Sequence, residues 1–184
     1  TAEIAVQSAL TGHIVFSTLH TNNAAGVIPR LIDLGVNPKI LVSALSLSIA
    51  QRLVRKLCQF CKKEKTPSAQ EEKTIKSVLD SIKKEGKSLS NYNINPDASF
   101  KLFISVGCEK CHMTGFKGRI GIFEAIKTDE MIEKIIPENP SEREIKKVAS
   151  QQGILSMRQD GMVKIINGIT SFEEAQSVVD LNEE

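Results

Sequence analysis

Tryptophan is absent and tyrosine occurs once, so seven phenylalanines make up nearly all the aromatic content of the 184 residues. Base-stacking surfaces for single-stranded nucleic acid are built from such rings, and the scarcity argues against that class of partner. Charge of one sign is also lacking. Twenty-four Lys and Arg stand against 22 Asp and Glu, a formal net charge of +2, which gives no electrostatic footprint for nucleic acid. No long hydrophobic run is present. The most apolar stretch, residues 40–50, carries three serines and is shorter than the roughly 20 residues a membrane helix needs. The chain opens on Thr1, directly in a helical pattern. It reads as a piece of a longer protein, so the lack of a signal peptide excludes nothing. Its length suffices for one or two domains with a sizeable core.

Only four cysteines occur, and they fall in two matched pairs, Cys58/Cys61 and Cys108/Cys111, separated by residues 62–107. Two Cys-x-x-Cys pairs brought together present four thiolates to a tetrahedral structural Zn²⁺. Disulfides require an oxidising compartment. A thioredoxin-like centre normally uses one such pair at a strand-to-helix junction. Zinc is the favoured reading of the three. Metal binding of this kind is worth on the order of 10 kcal/mol or more of folding free energy. His112 adjoins the second pair, but four sulfurs fill the usual shell, so we expect it to be exposed. Gly115, Gly118 and Gly121 then permit tight turns as the chain leaves the metal knuckle for a strand.

The long insertion between the pairs is tolerable, since each doubling of loop length adds only about 0.6 kcal/mol of closure entropy. Thr66-Pro67 or Ser68 can start a helix, and Ser68 with Glu71 fits a capping box. Ile75, Val78, Leu79 and Ile82 follow as one apolar stripe, with Glu72–Lys76 and Asp80–Lys84 pairs on the wet face and Gly86 as the stop. Packing of the stripe onto its own domain is favoured over a docking role. Residues 86–99 are polar and turn-rich, and we expect them to be mobile. A strand is expected over residues 100–106.

Residues 12–22 are the most informative stretch. Ile14, Val15 and Phe16 predict a strand buried on both faces. Thr18, His20, Thr21 and Asn22 follow at its carboxyl end, where open α/β sheets bind ligands. These groups suit an oxyanion such as phosphate, although helix capping and loop hydrogen bonds explain them equally well on spacing alone. His13 and His20 are seven positions apart. On one continuous strand they would face opposite ways and lie up to about 23 Å apart, so they need different roles. Arg52 and Arg55 also point to opposite faces of a strand over residues 50–57. At most one of them reaches a phosphate, and surface ion pairing suits either.

Residues 11–22, with Ala24, Ala25, Arg30 and Leu31 after them, resemble the histidine box of the type II secretion and type IV pilus assembly ATPases. Residues 1–5 resemble the helix after that family's Walker B carboxylates. Residues 50–58 continue the match, and the tetracysteine is common in the family's assembly ATPases. The resemblance implies an α/β fold: the carboxyl-terminal part of a RecA-like ATPase core (1–57, with the histidine box), a four-cysteine zinc-binding module with an inserted amphipathic helix (58–126), and a carboxyl-terminal helical bundle (127–184). It implies a homo-hexameric motor that hydrolyses ATP with Mg²⁺ in the bacterial cytoplasm, peripheral to the inner membrane and working with platform or adaptor proteins. It also implies His20 as γ-phosphate sensor or water-positioning group and His13 at a loop or adjoining subunit, with Thr18, Thr21, Asn22, Arg52 and Arg55 as nucleotide-binding candidates. The phosphate loop and Walker B carboxylates would precede Thr1, leaving this piece inactive alone. A non-enzymatic zinc-ribbon adaptor docking onto membrane assembly proteins is the competing reading. Nucleic acid is not expected as a partner.

Further helices are expected over residues 22–34 (kinked at Pro29, stopped at Gly35) and from Pro38 to about residue 48. In the last third, one begins at Thr128 and ends before Pro137. One is capped by Ser141 with Glu144 and stopped by Gly153. One spans residues 156–167, and one is capped by Thr170 with Glu173. Together they suggest a small bundle.

Overall fold

The computed structural model describes residues 1–92, 94 and 100–182. In chain order the elements are α1 (Ala2–Leu10), α2 (Val27–Asp33), α3 (Pro38–Ala44), β1 (Leu47–Leu57), β2 (Lys63–Lys65), α4 (Ala69–Lys84), β3 (Leu102–Ile104), β4 (Phe116–Lys127), α5 (Glu130–Glu138), α6 (Glu142–Ala149), α7 (Met157–Ile166) and α8 (Phe172–Gln176). Packing divides the chain into two compact units, residues 1–50 with 124–154, and residues 51–123 with 155–184. β1 and β4 pair in a two-stranded sheet. The expected domains 1–57, 58–126 and 127–184 are consecutive in sequence, whereas each packing unit combines two separate stretches of it.

The first unit is helical around a core of Val6, Ala24, Ala25, Ile28, Val36, Leu41, Ile126, Ile132, Ile136 and Ile145. Each buried Val, Leu or Ile among them contributes about 1.5–3 kcal/mol. α3 packs on α1 and α5, and α5 on α6. Short polar side chains set the helix starts. Asn37 accepts from the Lys39 N–H with Pro38 in the first turn. Asp129 accepts from Met131 and Ile132, and Ser141 from Glu144. α5 therefore starts one residue later than Thr128 predicts. It also runs one residue past Pro137, to Glu138.

Several boundaries differ from expectation. α2 begins at Val27, so Pro29 sits in its first turn, where the backbone N–H would have no intrahelical acceptor anyway. The expected kink has no cause. α3 ends at Ala44, and β1 starts at Leu47 rather than at residue 50. The expected strand at residues 14–16 is not formed. Residues 13–20 have no regular structure, and Ile14 and Phe16 are 85 % and 94 % exposed. A strand needs a ladder partner to persist, and no strand among the described residues pairs there.

The second unit holds both cysteine pairs. β2 and β3 are antiparallel, with Lys63 opposite Ile104 and Lys65 opposite Leu102; β3 is thus shorter than the strand expected over 100–106. α4 starts at the Ser68–Glu71 capping box, and its stripe residues Ile75, Val78, Leu79 and Ile82 are all buried. α4 packs on α7. The contact is fastened by Gln159, which donates to Ser81 Oγ at 3.1 Å and Glu85 Oε2 at 3.0 Å, and accepts from Lys87 Nζ at 2.9 Å. The stripe therefore serves its own unit. Of the stretch 86–99 expected to be mobile, Ser90–Tyr92 form a 3₁₀ turn, while residues 93 and 95–99 lie outside the described residues.

The last third is not one bundle. α5 and α6 belong to the first unit, α7 and α8 to the second. Ser156 with Gln159 forms the capping box of α7. The last helix is capped by Ser171, which accepts from Glu174 N–H. Thr170, the expected cap, instead donates to the Arg55 carbonyl at 2.9 Å.

Because Ile82 is buried on α4, which packs on α7, Ile82→Ala is expected to lower stability by about 2–5 kcal/mol in urea unfolding followed by circular dichroism. A loss below about 0.5 kcal/mol would show that the inserted helix is not part of the second unit's core.

Candidate metal centre and histidine segment

β1 delivers the first cysteine. Its last residue, Leu57, donates to the Ile169 carbonyl at 2.8 Å, and Cys58 donates to the Gly115 carbonyl at 2.9 Å. Both side chains are buried. The Cys58 carbonyl then accepts from Cys61 and Lys62, closing the first knuckle. In the second, the Cys108 carbonyl accepts from Cys111 and Met113, while His112 and Met113 turn the chain at φ 52° and 61°. His112 is exposed. Two glycines let the backbone close around the pair. A Cβ on Gly107 would meet the Met113 carbonyl oxygen at 2.6 Å, and one on Gly115 would meet Ser105 Cβ at 2.5 Å; both have positive φ.

The four sulfurs converge. Cys58–Cys108, Cys61–Cys111 and Cys108–Cys111 Sγ separations are 3.9, 3.8 and 3.7 Å, and all four lie within 4.8 Å of one another. Zn–S bonds of about 2.3 Å in a tetrahedron place sulfurs about 3.8 Å apart, while a disulfide needs about 2.05 Å. All four are free thiols. The residues thus fit a four-sulfur metal site. Burial pushes the Cys111 thiol up, but the Cys108 and Gly115 N–H groups, each 3.2 Å from its Sγ, together bring it down to about 6. Burial, aided by the neighbouring sulfurs against a Gly107 hydrogen bond, pushes Cys61 up to about 11. A metal ion would have to displace that proton, which makes loading pH-dependent. Zinc with four thiolates carries a net charge of −2; Lys62 and Lys110, each beside a ligand in sequence, lie over the rings of Phe103 and Phe60 at 4.5 and 3.7 Å.

The histidine segment is arranged differently. His13, Thr18, His20 and Asn22 are exposed and Thr21 is half-buried. Thr11 Oγ1 lies 3.1 Å from His13 Nδ1. With the strand unformed, His13 and His20 are not held on opposite faces of one. Arg52 is half-buried. Arg55 is committed elsewhere. Its Nε and Nη2 donate to Glu174 Oε2 at 2.9 and 2.5 Å, its backbone N–H donates to Glu174 Oε1 at 2.9 Å, and its guanidinium lies 4.1 Å above the Phe116 ring. Two guanidinium nitrogens are thus engaged by a carboxylate, the surface ion pairing that suited this residue.

Gly86-Lys87-Ser88 has the ending of a phosphate loop, but position 81 is Ser where that motif has Gly. The tripeptide follows the carboxyl end of α4 rather than opening a helix. Lys87 Nζ is buried against Glu85 Oε2 at 2.5 Å and Gln159. It is a structural cation. Sequence periodicity missed Glu174, Thr170 and Gln159 because each acts across more than 70 positions.

The Arg55 hydrogen bond, opposed by burial, holds the Glu174 carboxyl below the usual carboxylate range. Its contribution to stability is therefore present above the unfolded value of about 4.3 and lost as pH falls through the folded one. The stability gap between the wild type and Glu174→Gln should shrink as pH is lowered from about 6 to 3. A gap that stays constant would show that the pair is not titrating. Metal analysis should find one zinc per chain, falling to trace in Cys58→Ser. Chelation should lower the melting temperature of the second unit, and an unchanged melt after complete zinc removal would exclude a structural metal.

Among the described residues no helix is long and apolar enough to cross a membrane. Residues 1–177 match the model of the type II/IV secretion system protein family. The chain is 39 % identical over 178 residues to the type IV pilus assembly ATPase PilB of Pseudomonas aeruginosa, covering 97 % of this chain and 29 % of the relative. It is 40 % identical over 174 residues to PilB of Thermus thermophilus (95 % and 18 %). It is 39 % identical over 178 residues to the type II secretion system ATPase E of Vibrio cholerae (97 % and 32 %). It thus spans about a third or less of the curated relatives it matches. Among solved structures, the pilus retraction motor PilT with bound ADP superposes with a TM-score of 0.56 at 21 % identity, covering 97 % of this chain and 36 % of that one, a likeness of fold. The α/β fold is thus one shared with such ATPases, and the chain belongs to the type II/IV secretion system protein family.

Proposed function

We propose that this chain is the carboxyl-terminal part of a homo-hexameric ATPase that powers type IV pilus assembly or type II protein secretion. ATP and Mg²⁺ are gripped by a phosphate loop and Walker B carboxylates contributed by preceding sequence, and the piece alone does not turn over ATP. Zn²⁺ held by Cys58, Cys61, Cys108 and Cys111 is structural. The motor works in the cytoplasm, peripheral to the inner membrane, against platform or adaptor proteins and neighbouring subunits. The observation that carries this reading is the histidine segment. Ile14, Val15 and Phe16 are strand-forming residues left in the open, followed by the polar set Thr18, His20, Thr21 and Asn22. Apolar β-branched residues seek a sheet, and a parallel sheet would bury them while leaving the polar groups at its carboxyl edge.

In this reading His20 orients the attacking water or contacts the γ-phosphate, and Thr18, Thr21 and Asn22 hydrogen-bond phosphate oxygens. His13 holds its loop or touches an adjoining subunit. Arg52 remains a nucleotide-facing candidate, and Arg55 is set aside because Glu174 holds it. Removing a positioned acid–base or orienting group lowers turnover by about 10²–10⁴-fold. In the longer protein that carries this chain and a phosphate loop, His20→Ala should therefore cut kcat by about a hundredfold or more and leave ATP affinity within about threefold. Unchanged turnover would sink the assignment.

A further inference from the structure

Residues 20–26 join the proposed nucleotide-facing groups to α2 and form no regular structure before Val27. Two carboxylates from distant parts of the first unit hold this stretch. The Ala24 N–H donates to Glu124 Oε1 at 2.6 Å, across 100 positions of sequence. Asn23 Nδ2 donates to Glu142 Oε1 at 2.6 Å, across 119 positions, while Asn23 Oδ1 accepts from the Gly26 N–H at 2.9 Å. Glu124 lies in β4 and Glu142 opens α6, where it also pairs with Lys146 at 3.1 Å. Ala24 and Ala25 are fully buried, so their backbone is anchored by packing as well. Hydrogen bonds to ionised acceptors are the short, strong class. Immediately upstream, residues 13–20 lie outside regular structure and are almost all exposed.

From this contrast we infer that Glu124 and Glu142 are positioning residues that clamp the carboxyl end of the histidine segment, so that Thr21 and Asn22 are presented from a fixed base. The inference rests on the nucleotide-facing reading of His20, Thr21 and Asn22. Neither carboxylate touches the nucleotide; each acts through the loop. The value of the clamp is geometric, since a misplacement of about 1 Å in a reacting group lowers rate by about a hundredfold. Glu124→Ala leaves a buried N–H without its acceptor. Glu124→Gln keeps an oxygen in place and tests whether hydrogen-bond acceptance is what counts.

The experiment has two arms. In the zinc-loaded 184-residue chain, amide hydrogen exchange should speed up at Ala24 by about ten- to a hundredfold in Glu124→Ala, and by less than about tenfold in Glu124→Gln. Exchange at Ile145, whose N–H donates to the Ser141 carbonyl within the same unit, should not change. In the longer ATPase, Glu124→Ala should lower kcat by about tenfold or more with KM for ATP within about threefold, and Glu124→Gln should recover most of it. Unaltered Ala24 exchange in Glu124→Ala, or a Gln variant as impaired as Ala, overturns the inference. If Glu124→Ala also loses protection at Ile145, Asn23→Asp carries the test. It sets a carboxylate against Glu142, so exchange at Ala24 should rise and be restored by adding Glu142→Gln, and failure of that rescue overturns the inference. The two readings separate cleanly. An inert His20→Ala sinks the nucleotide reading while the exchange arm still stands, whereas an impaired His20→Ala beside an unmoved Ala24 sinks the clamp alone.

Discussion

The convergence of four sulfurs within 4.8 Å of one another is the constraint on which the second unit depends. It joins residues 50 positions apart and closes the loop that carries β2, α4 and β3. Closure of a loop this long is entropically affordable, because the cost grows only with the logarithm of its length. The closed loop then brings β2 against β3, and α4 packs its apolar stripe on α7. Gly107 and Gly115 are needed there for a steric reason: no side chain fits between those turns.

A second theme is the use of carboxylates as long-range anchors. Glu174 holds both the backbone N–H and the guanidinium of Arg55. Glu124 and Glu142 hold the loop after the histidine segment. In each case a flexible side chain reaches a partner at least 100 positions away, and the ionised acceptor makes the bond worth about 1.5–3 kcal/mol rather than about 1. Two of these anchors fix backbone that neither helix nor sheet secures, at residues 23 and 24, and the third fastens a residue of β1. Just upstream of the anchored loop, Ile14 and Phe16 stand in the open.

What the sequence by itself determined was whatever rests on short-range pattern. The paired cysteines announced a four-sulfur site, and the Ser68–Glu71 box with its 3–4 spacing located α4 to within a residue. The histidine segment and its neighbours carried the family. Capping was legible to within one residue, with Asp129 and Ser171 taking the places read for Thr128 and Thr170. Only the tertiary structure decided the rest. Whether residues 14–16 form a strand depends on a ladder partner that no local propensity supplies. Whether Arg55 meets a phosphate or Glu174, and whether Gly86-Lys87-Ser88 cradles an anion or buries its lysine, depends on which distant groups arrive. The division of the last four helices between two units has the same origin. Hydrogen bonds and packing across a hundred positions are set by where the chain folds back, and that information is spread over the whole core rather than written in any one segment.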